Sequence, residues 1–277
     1  MTVTEVHISV ASAFPWSAAI SPSGAGFSNV LQAMVALRQR NRAPPDLYYV
    51  GLFAPGDTFD DYCGASCVTG LNGVLTNPQD SVGRASVALG FTGLLAAQTA
   101  AHEIGHAHGR AHSPCGGATN PDPTYPHANG AIGVWGYDLG DRTLIRPSFG
   151  DVMSYCVPAW ISDWTYNALF NRISTVNAAM SRVAQSGTAR YRTVSVEADG
   201  SLHWGETLSL AEPPANEPRT VRYVDAAGVA VATATGHFYP YEGVPGGYLL
   251  VPEGPVGFAK IVVSNLGASG TRELRRP

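Results

Sequence analysis

Lysine is nearly missing from this chain: of 17 basic residues, 16 are arginine and Lys260 stands alone. Charge of either sign is sparse, at 14% of residues against the roughly 25% of an ordinary soluble domain. With 21 acidic residues the net charge is −4 and the pI about 6.0, so no basic face exists to track a phosphate backbone, and nucleic acid is excluded as the expected partner. No run approaches the ~20 apolar residues of a membrane span, since the longest candidate, Ala85 to Ala97, is broken by Ser, Gly and Thr. The start, Met1-Thr-Val-Thr-Glu, lacks the basic residues and apolar stretch of a signal peptide. Either the protein stays inside the cell or the sequence is a trimmed mature segment.

What is abundant is glycine and proline, 31 and 20 positions, which with 277 residues describes a loop-rich globular chain of one large domain or two. The four cysteines are Cys63, Cys67, Cys115 and Cys156. An even count suits two disulfides and an oxidising compartment, with Cys115–Cys156 as the long-range bridge and Cys63–Cys67 as the remainder. A four-cysteine zinc site is the rival arrangement, but it normally needs two close pairs and only one pair is close here. Free thiols are the third option.

Along the chain, Val3 to Val10 alternates like a half-buried strand. Phe27 to Arg40 carries apolar residues at helical spacing and stops before Pro44-Pro45. The stretch from Asp46 to Phe53 and that from Arg84 to Phe91 read as strands, and Leu94 to His108 as a helix whose core-facing stripe is expected to be Leu94, Ala97, Ala101 and Ile104. Ser113 to Gly150 is loop-like, and Trp160 to Val183 is helical. Beyond about Ser186 the pattern turns to short β-runs, at 191–196, 219–224, 229–235, 248–251 and 260–264, separated by glycine turns. The expected organisation is an α+β domain over residues 1–185, followed by a small antiparallel β-sandwich over 186–277.

Four of the eight histidines fall within Ala101 to Ser113, A-H-E-I-G-H-A-H-G-R-A-H-S. His102 and His106 are four apart, so on a helix they share one face. Gly109 permits the chain to leave the helix and turn back, which presents His112 to the same point. Three imidazoles leave a fourth position for water at a catalytic zinc ion, and Glu103, beside the first ligand, can reach that water without binding metal. His108 points away from the pair and is read as structural, as is His127. Asp57, Asp60 and Asp61, and Asp138 with Asp141, are possible Ca2+ clusters, but neither matches a complete binding loop, so turn and capping roles are expected.

The run His102-Glu103-x-x-His106-x-x-Gly109-x-x-His112, followed downstream by Asp151-Val152-Met153-Ser154-Tyr155, resembles the metzincin zinc metalloproteases. The Met-Ser-Tyr triplet is similar to the serralysin and astacin branches, and G-A-I-G-V-W-G-Y-D is loosely similar to metalloproteases that cleave mucin-type glycoproteins. The resemblance covers residues 1 to about 185. It implies a mixed twisted sheet with an antiparallel edge strand, one catalytic Zn2+ on the three histidines, Glu103 as general base, Tyr155 at the oxyanion, and Met153 as an apolar floor. It further implies a peptide substrate laid along an edge strand at Ser86, Val87 and Ala88, and a pocket walled by Pro158, Ala159 and Trp160. The glycine-rich calcium repeats that follow serralysins are absent, so the C-terminal part is of another kind. The expected protein is a secreted monomer acting on a protein or glycoprotein. The competing reading is a catalytically weak scaffold that attaches to a surface or glycan through its C-terminal sandwich.

Overall fold

A computed structural model describes residues 6–179, 188–266 and 270–277. Helix α1 (Phe27–Arg40) has the bounds its periodicity predicts, and Phe27, Val30, Leu31, Met34 and Val35 are buried. Arg38 and Arg40 occupy its last turn, where cations complement the helix dipole. Arg38 is itself buried, and its guanidinium donates to the carbonyls of Pro44 and Leu47, which fixes the turn that follows.

Under α1 lies a three-stranded sheet of β1 (Tyr49–Phe53), β2 (Gly70–Asn72) and β3 (Ala85–Leu89), in the order β1-β3-β2. β3 runs parallel to β1, with Tyr49 opposite Ala85, and antiparallel to β2, with Gly70 opposite Ala88. This corrects the expectation for Ser86, Val87 and Ala88. Both sides of β3 are already hydrogen-bonded and all three residues are buried, so no substrate strand can pair there. The edge lies at β2, a strand of three residues too short and too glycine-rich to announce itself by periodicity. Between β1 and β2, the short helix α2 (Phe59–Cys63) is capped by Thr58, whose hydroxyl meets Asp61, so the first acidic cluster does supply capping chemistry.

Helix α3 (Leu94–Ala107) follows β3. Its expected core stripe is not its buried face. Leu94 is 74% exposed and Ala97 and Ala101 are also exposed, whereas His102, Glu103, Gly105, His106 and Ala107 are buried. The helix turns its chemistry inward against β2 and β3 and leaves apolar residues outside, a case of function overriding the hydrophobic pattern. A hairpin of β4 (Gly136–Asp138) and β5 (Thr143–Ile145) interrupts the long loop, with Asp138 accepting from the Gly140 and Asp141 amides at its turn. The parallel pair β6 (Gly150–Asp151) and β7 (Ala159–Trp160) leads into α4 (Asp163–Ala179). The end expected for this helix at Val183 and the 185/186 boundary lie outside the described residues.

Strands β8 (Ala189–Val196), β9 (Leu202–Leu210), β10 (Glu217–Val224), β11 (Ala230–Pro240), β12 (Gly247–Pro252), β13 (Lys260–Val263) and β14 (Arg272–Arg275) form the C-terminal region. The expected sandwich of two sheets is instead one antiparallel sheet in the order β14-β13-β10-β11-β12-β8-β9. Register shifts in β8 and β10 bend it, and its two end strands meet where Trp204 Nε1 donates to Arg275 O at 2.6 Å. Curling covers one apolar face with itself, burying Val194, Val221, Leu249, Val251 and Ile261. The other face, with Leu208, Tyr239, Tyr248 and Leu250, packs against α1 and β3 in a core shared by both halves of the chain. β12 alternates between the two cores, which is why Tyr248-Leu249-Leu250-Val251 reads as a continuous apolar run. Asp80, fully buried, seals the junction by accepting from Tyr239 Oη at 2.6 Å and from the Ala215 amide at 2.7 Å. The alternating segment at the N-terminus forms no strand over its described residues: Val6, Ile8 and Val10 are at least 72% exposed, and residues 3–5 lie outside the described set. Alternation marks a strand only when a neighbour supplies its hydrogen bonds.

Both disulfides are formed, Cys63–Cys67 and Cys115–Cys156. By the chain-entropy relation the second, closing across 41 residues, contributes ~4 kcal/mol and the first, closing across 4, only ~2 kcal/mol. Replacing Cys115 and Cys156 by alanine should therefore lower the thermal midpoint by ~10 °C, about twice the effect of replacing Cys63 and Cys67. Calorimetry showing equal drops for the two pairs would contradict this ranking.

Candidate metal centre

The three histidines of the helix and its following turn meet where α3 ends. His106 Nε2 lies 3.0 Å and His112 Nε2 3.2 Å from His102 Nε2, and all three side chains are buried. Each Nδ1 faces a backbone carbonyl: Val152 O at 2.8 Å for His102, Arg110 O at 2.6 Å for His106, and Thr119 O at 2.7 Å for His112. A carbonyl can only accept, so each Nδ1 carries the proton and each Nε2 presents a bare lone pair. Three lone pairs pointed at one another repel unless a cation stands between them. Burial pushes His102 down to about 4 and His106 well below the usual imidazole range, which keeps both neutral as metal ligands must be. The donor set therefore fits a divalent metal such as zinc, with tautomers already fixed by the outer hydrogen bonds.

The chain reaches this geometry by leaving the helix at Gly109, whose φ of +80° is the left-handed conformation that favours glycine. A side chain there would meet the Leu75 carbonyl. His112 is then pinned to the downstream turn, because Ser113 N donates to Met153 O at 2.9 Å, Tyr155 N donates to Cys115 O at 3.2 Å, and Cys115 is bridged to Cys156. Asp151 holds the turn from within. Fully buried, it accepts from the Met153 and Ser162 amides and from the Thr165 hydroxyl, joining the turn to the start of α4.

Met153 is 1% exposed and packs beneath the ligands against Gly105, where a methyl group would collide with its Sδ. Gly105 had no role legible in the sequence, although a glycine inside a helix, costing ~1 kcal/mol, is itself a sign of close packing. Tyr155 stands at the rim, 47% exposed, with its ring 4.9 Å from that of His112. Burial, then the Glu103 and Glu242 carboxylates, push its hydroxyl up to about 12, so it remains a donor at neutral pH.

A cleft of about 380 Å³ opens over the histidines. Its lining includes Glu103, Tyr155, Val157 and Ala159. Pro158 and Trp160 stand behind this wall: Pro158 O accepts from Gly150 N at 3.0 Å, and Trp160 supports the β4–β5 hairpin at Gly136. The opposite wall is the segment Cys67 to Gly70, which takes the place expected of Ser86, Val87 and Ala88. A third wall, Glu242 to Val244, comes from the loop between β11 and β12. No spacing in the sequence connects that loop to the histidines, so pattern reading could not find it. Glu103 is buried against Gly70, and burial, followed by the Glu242 charge, raises it well above the usual carboxylate range. Among the described residues no lysine or arginine lines the cleft, so two carboxylates and three imidazoles share it without a cation from the protein.

His108 is not a ligand. Its ring stacks on Tyr48 at 4.2 Å and its Nδ1 donates to Ile104 O. His127 pairs with Asp163 at 2.7 Å, at the start of α4.

At Gly70 a Cβ would lie 2.6 Å from Glu103 Cγ and 2.7 Å from its carboxyl carbon. Gly70→Ala should therefore displace this carboxylate while leaving the histidines in place. Zinc content after metal loading, measured by atomic absorption, should stay at the wild-type level, and a variant that loses the metal would show that the Gly70–Glu103 contact also holds the ligands in place.

Among the described residues no helix is long and apolar enough to cross a membrane. No curated protein and no solved structure matches the chain. The family model described as Peptidase M66 matches residues 69–188, from the cleft edge through α4, and with the buried three-histidine group this fits a zinc-dependent metallopeptidase.

Proposed function

We propose that this protein is a secreted zinc endopeptidase of the metzincin type, with a catalytic part at residues 1–185, an accessory part at 186–277, and a monomeric working state. The observation that carries this reading is the convergence of three bare Nε2 atoms beside a buried glutamate, in a cleft open along one side. His102, His106 and His112 would hold the metal, and zinc held there would polarise a peptide carbonyl and lower the pKa of a water so that it can be deprotonated to a nucleophile near neutral pH.

The chain's own residues supply the remainder. Glu103, buried beside the ligands and lining the cleft, takes a proton from the attacking water and passes it to the leaving amine nitrogen. Tyr155, kept protonated, donates to the oxyanion that develops on the carbonyl. Met153 supplies the apolar floor. A peptide or glycoprotein segment would lie extended across the cleft past Gly70, whose outward backbone groups can pair without demanding a particular sequence, with Val157 and Ala159 facing its side chains. Secretion is supported by the two disulfides, which persist in oxidising compartments.

Casein digestion with and without a chelator tests the reading directly. The wild-type protein should cleave, lose activity on chelation and regain it with added zinc. Glu103→Ala should retain zinc and lose activity by a factor of about 10² to 10⁴. Cleavage that persists undiminished in either arm would overturn the assignment.

A further inference from the structure

His102 and His106 are borne by a helix, and each has one neutral carbonyl behind it. His112 stands on a loop and has something more. Besides Thr119 O, the Oε1 atom of Glu242 lies 2.9 Å from its Nδ1. The N–H is directed at the carbonyl, so this carboxylate oxygen, which is buried, has no hydrogen bond of its own. It comes from the other half of the chain. The loop between β11 and β12 reaches the edge of the small sheet, where Gly73 and Tyr241 form an antiparallel bridge, Val74 N donates to Pro240 O at 3.1 Å, and Glu242 N donates to Asn72 O at 3.2 Å. Gly243, at φ +83°, then passes so close that a side chain would touch Tyr155 Oη at 3.0 Å. Two backbone hydrogen bonds and a tight turn thus place one carboxylate beside the protonated nitrogen of a single ligand.

We propose that Glu242 is a positioning residue for the metal centre: resting on the zinc reading above, its carboxylate supports the imidazole of His112 from the outer side and ties metal affinity to the C-terminal sheet. A negative charge beside Nδ1–H makes the ring a more basic donor at Nε2 and opposes rotation of a ligand that no helix holds. His112 is where such support is required, since its backbone lies beyond the Gly109 turn. The same carboxylate partly balances the charge that a divalent ion brings into a cleft without other countercharge than Glu103.

The test is zinc affinity of the full chain, measured by competition with a chromogenic chelator. Metal-free thermal midpoints and the visible spectrum of the cobalt-substituted protein serve as readouts independent of activity. Glu242→Gln keeps the size and removes the charge; it should raise the zinc Kd 10- to 100-fold, alter the cobalt bands, and leave the metal-free midpoint unchanged. Glu242→Asp, which keeps the charge, should recover part of the affinity. Wild-type zinc affinity in Glu242→Gln would overturn this proposal while leaving the zinc reading intact. A loss of affinity accompanied by an equal drop in metal-free stability in both variants would assign Glu242 to packing and also overturn it. A wild-type chain that binds no zinc would instead remove the reading on which the proposal rests.

Discussion

Three imidazoles with their lone pairs turned toward one point are the constraint on which the architecture depends. Without metal the arrangement is repulsive, so every ring must be held from behind, and each Nδ1 is bonded to a backbone carbonyl from a different place in the chain. Val152 belongs to the methionine turn, Arg110 to the exit from the helix, and Thr119 to the loop after the third ligand. Fixing those carbonyls requires the turn to be rigid, which explains the fully buried Asp151 at its root, and requires the loop to be tied down, which explains the Cys115–Cys156 bridge. The glycines follow from the same demand for closeness, with Gly105 admitting Met153 beneath the ligands and Gly70 admitting Glu103 beside them.

The helix α3 shows what this costs elsewhere. Its polar and titratable residues are its buried ones, and leucines that would ordinarily face a core stand in solvent or at the cleft rim. A pattern of apolar spacing predicted the helix and its start, and placed its end one residue late, but assigned its faces wrongly. Periodicity reports that a segment can be amphipathic; it does not report which face a buried metal centre will claim.

Legibility in the sequence followed distance along the chain. The ligands, the glutamate between them and the hinge glycine lie within eleven positions and could be read from helix geometry alone. Helix α1 and the strands β1, β3, β8 and β10 to β13 were legible because each repeats a local pattern, while α2, β2, β4 to β7, β9 and β14 were missed: α2, β2 and β4 to β7 hold two to five residues each, β9 is broken by Gly205, and β14 is a polar edge strand. The position of the cleft edge was misread because pairing partners are set by topology, and β3 looks the same in sequence whether it lies at the centre or the margin. That the C-terminal strands form one curled sheet was also out of reach. Burial on both faces gives β12 the same apolar run in either architecture, and what distinguishes them is the unbroken pairing of all seven strands and the meeting of Trp204 with Arg275.

The shared core changes what the C-terminal sheet can be. A module that merely attached the protein to a surface would need no contact with the cleft, and a flexible tether would serve it. Here Tyr239, Tyr248 and Leu250 lie in the same core as α1 and β3, Asp80 accepts hydrogen bonds from across the junction, and the β11–β12 loop pairs with the sheet edge one residue beyond the open part of the cleft. That loop closes the edge at Asn72 to Val74, while further along the same edge Val68 N donates to Pro22 O at 2.9 Å, so Gly70 lies between two stretches whose outward groups are already bonded. The wall that the loop supplies is tied to β2 by two backbone hydrogen bonds, and β2 packs against the helix that bears two of the metal ligands. The C-terminal sheet therefore belongs to the site's geometry, because the loop it carries supplies Glu242, Gly243 and Val244 as one wall of the cleft.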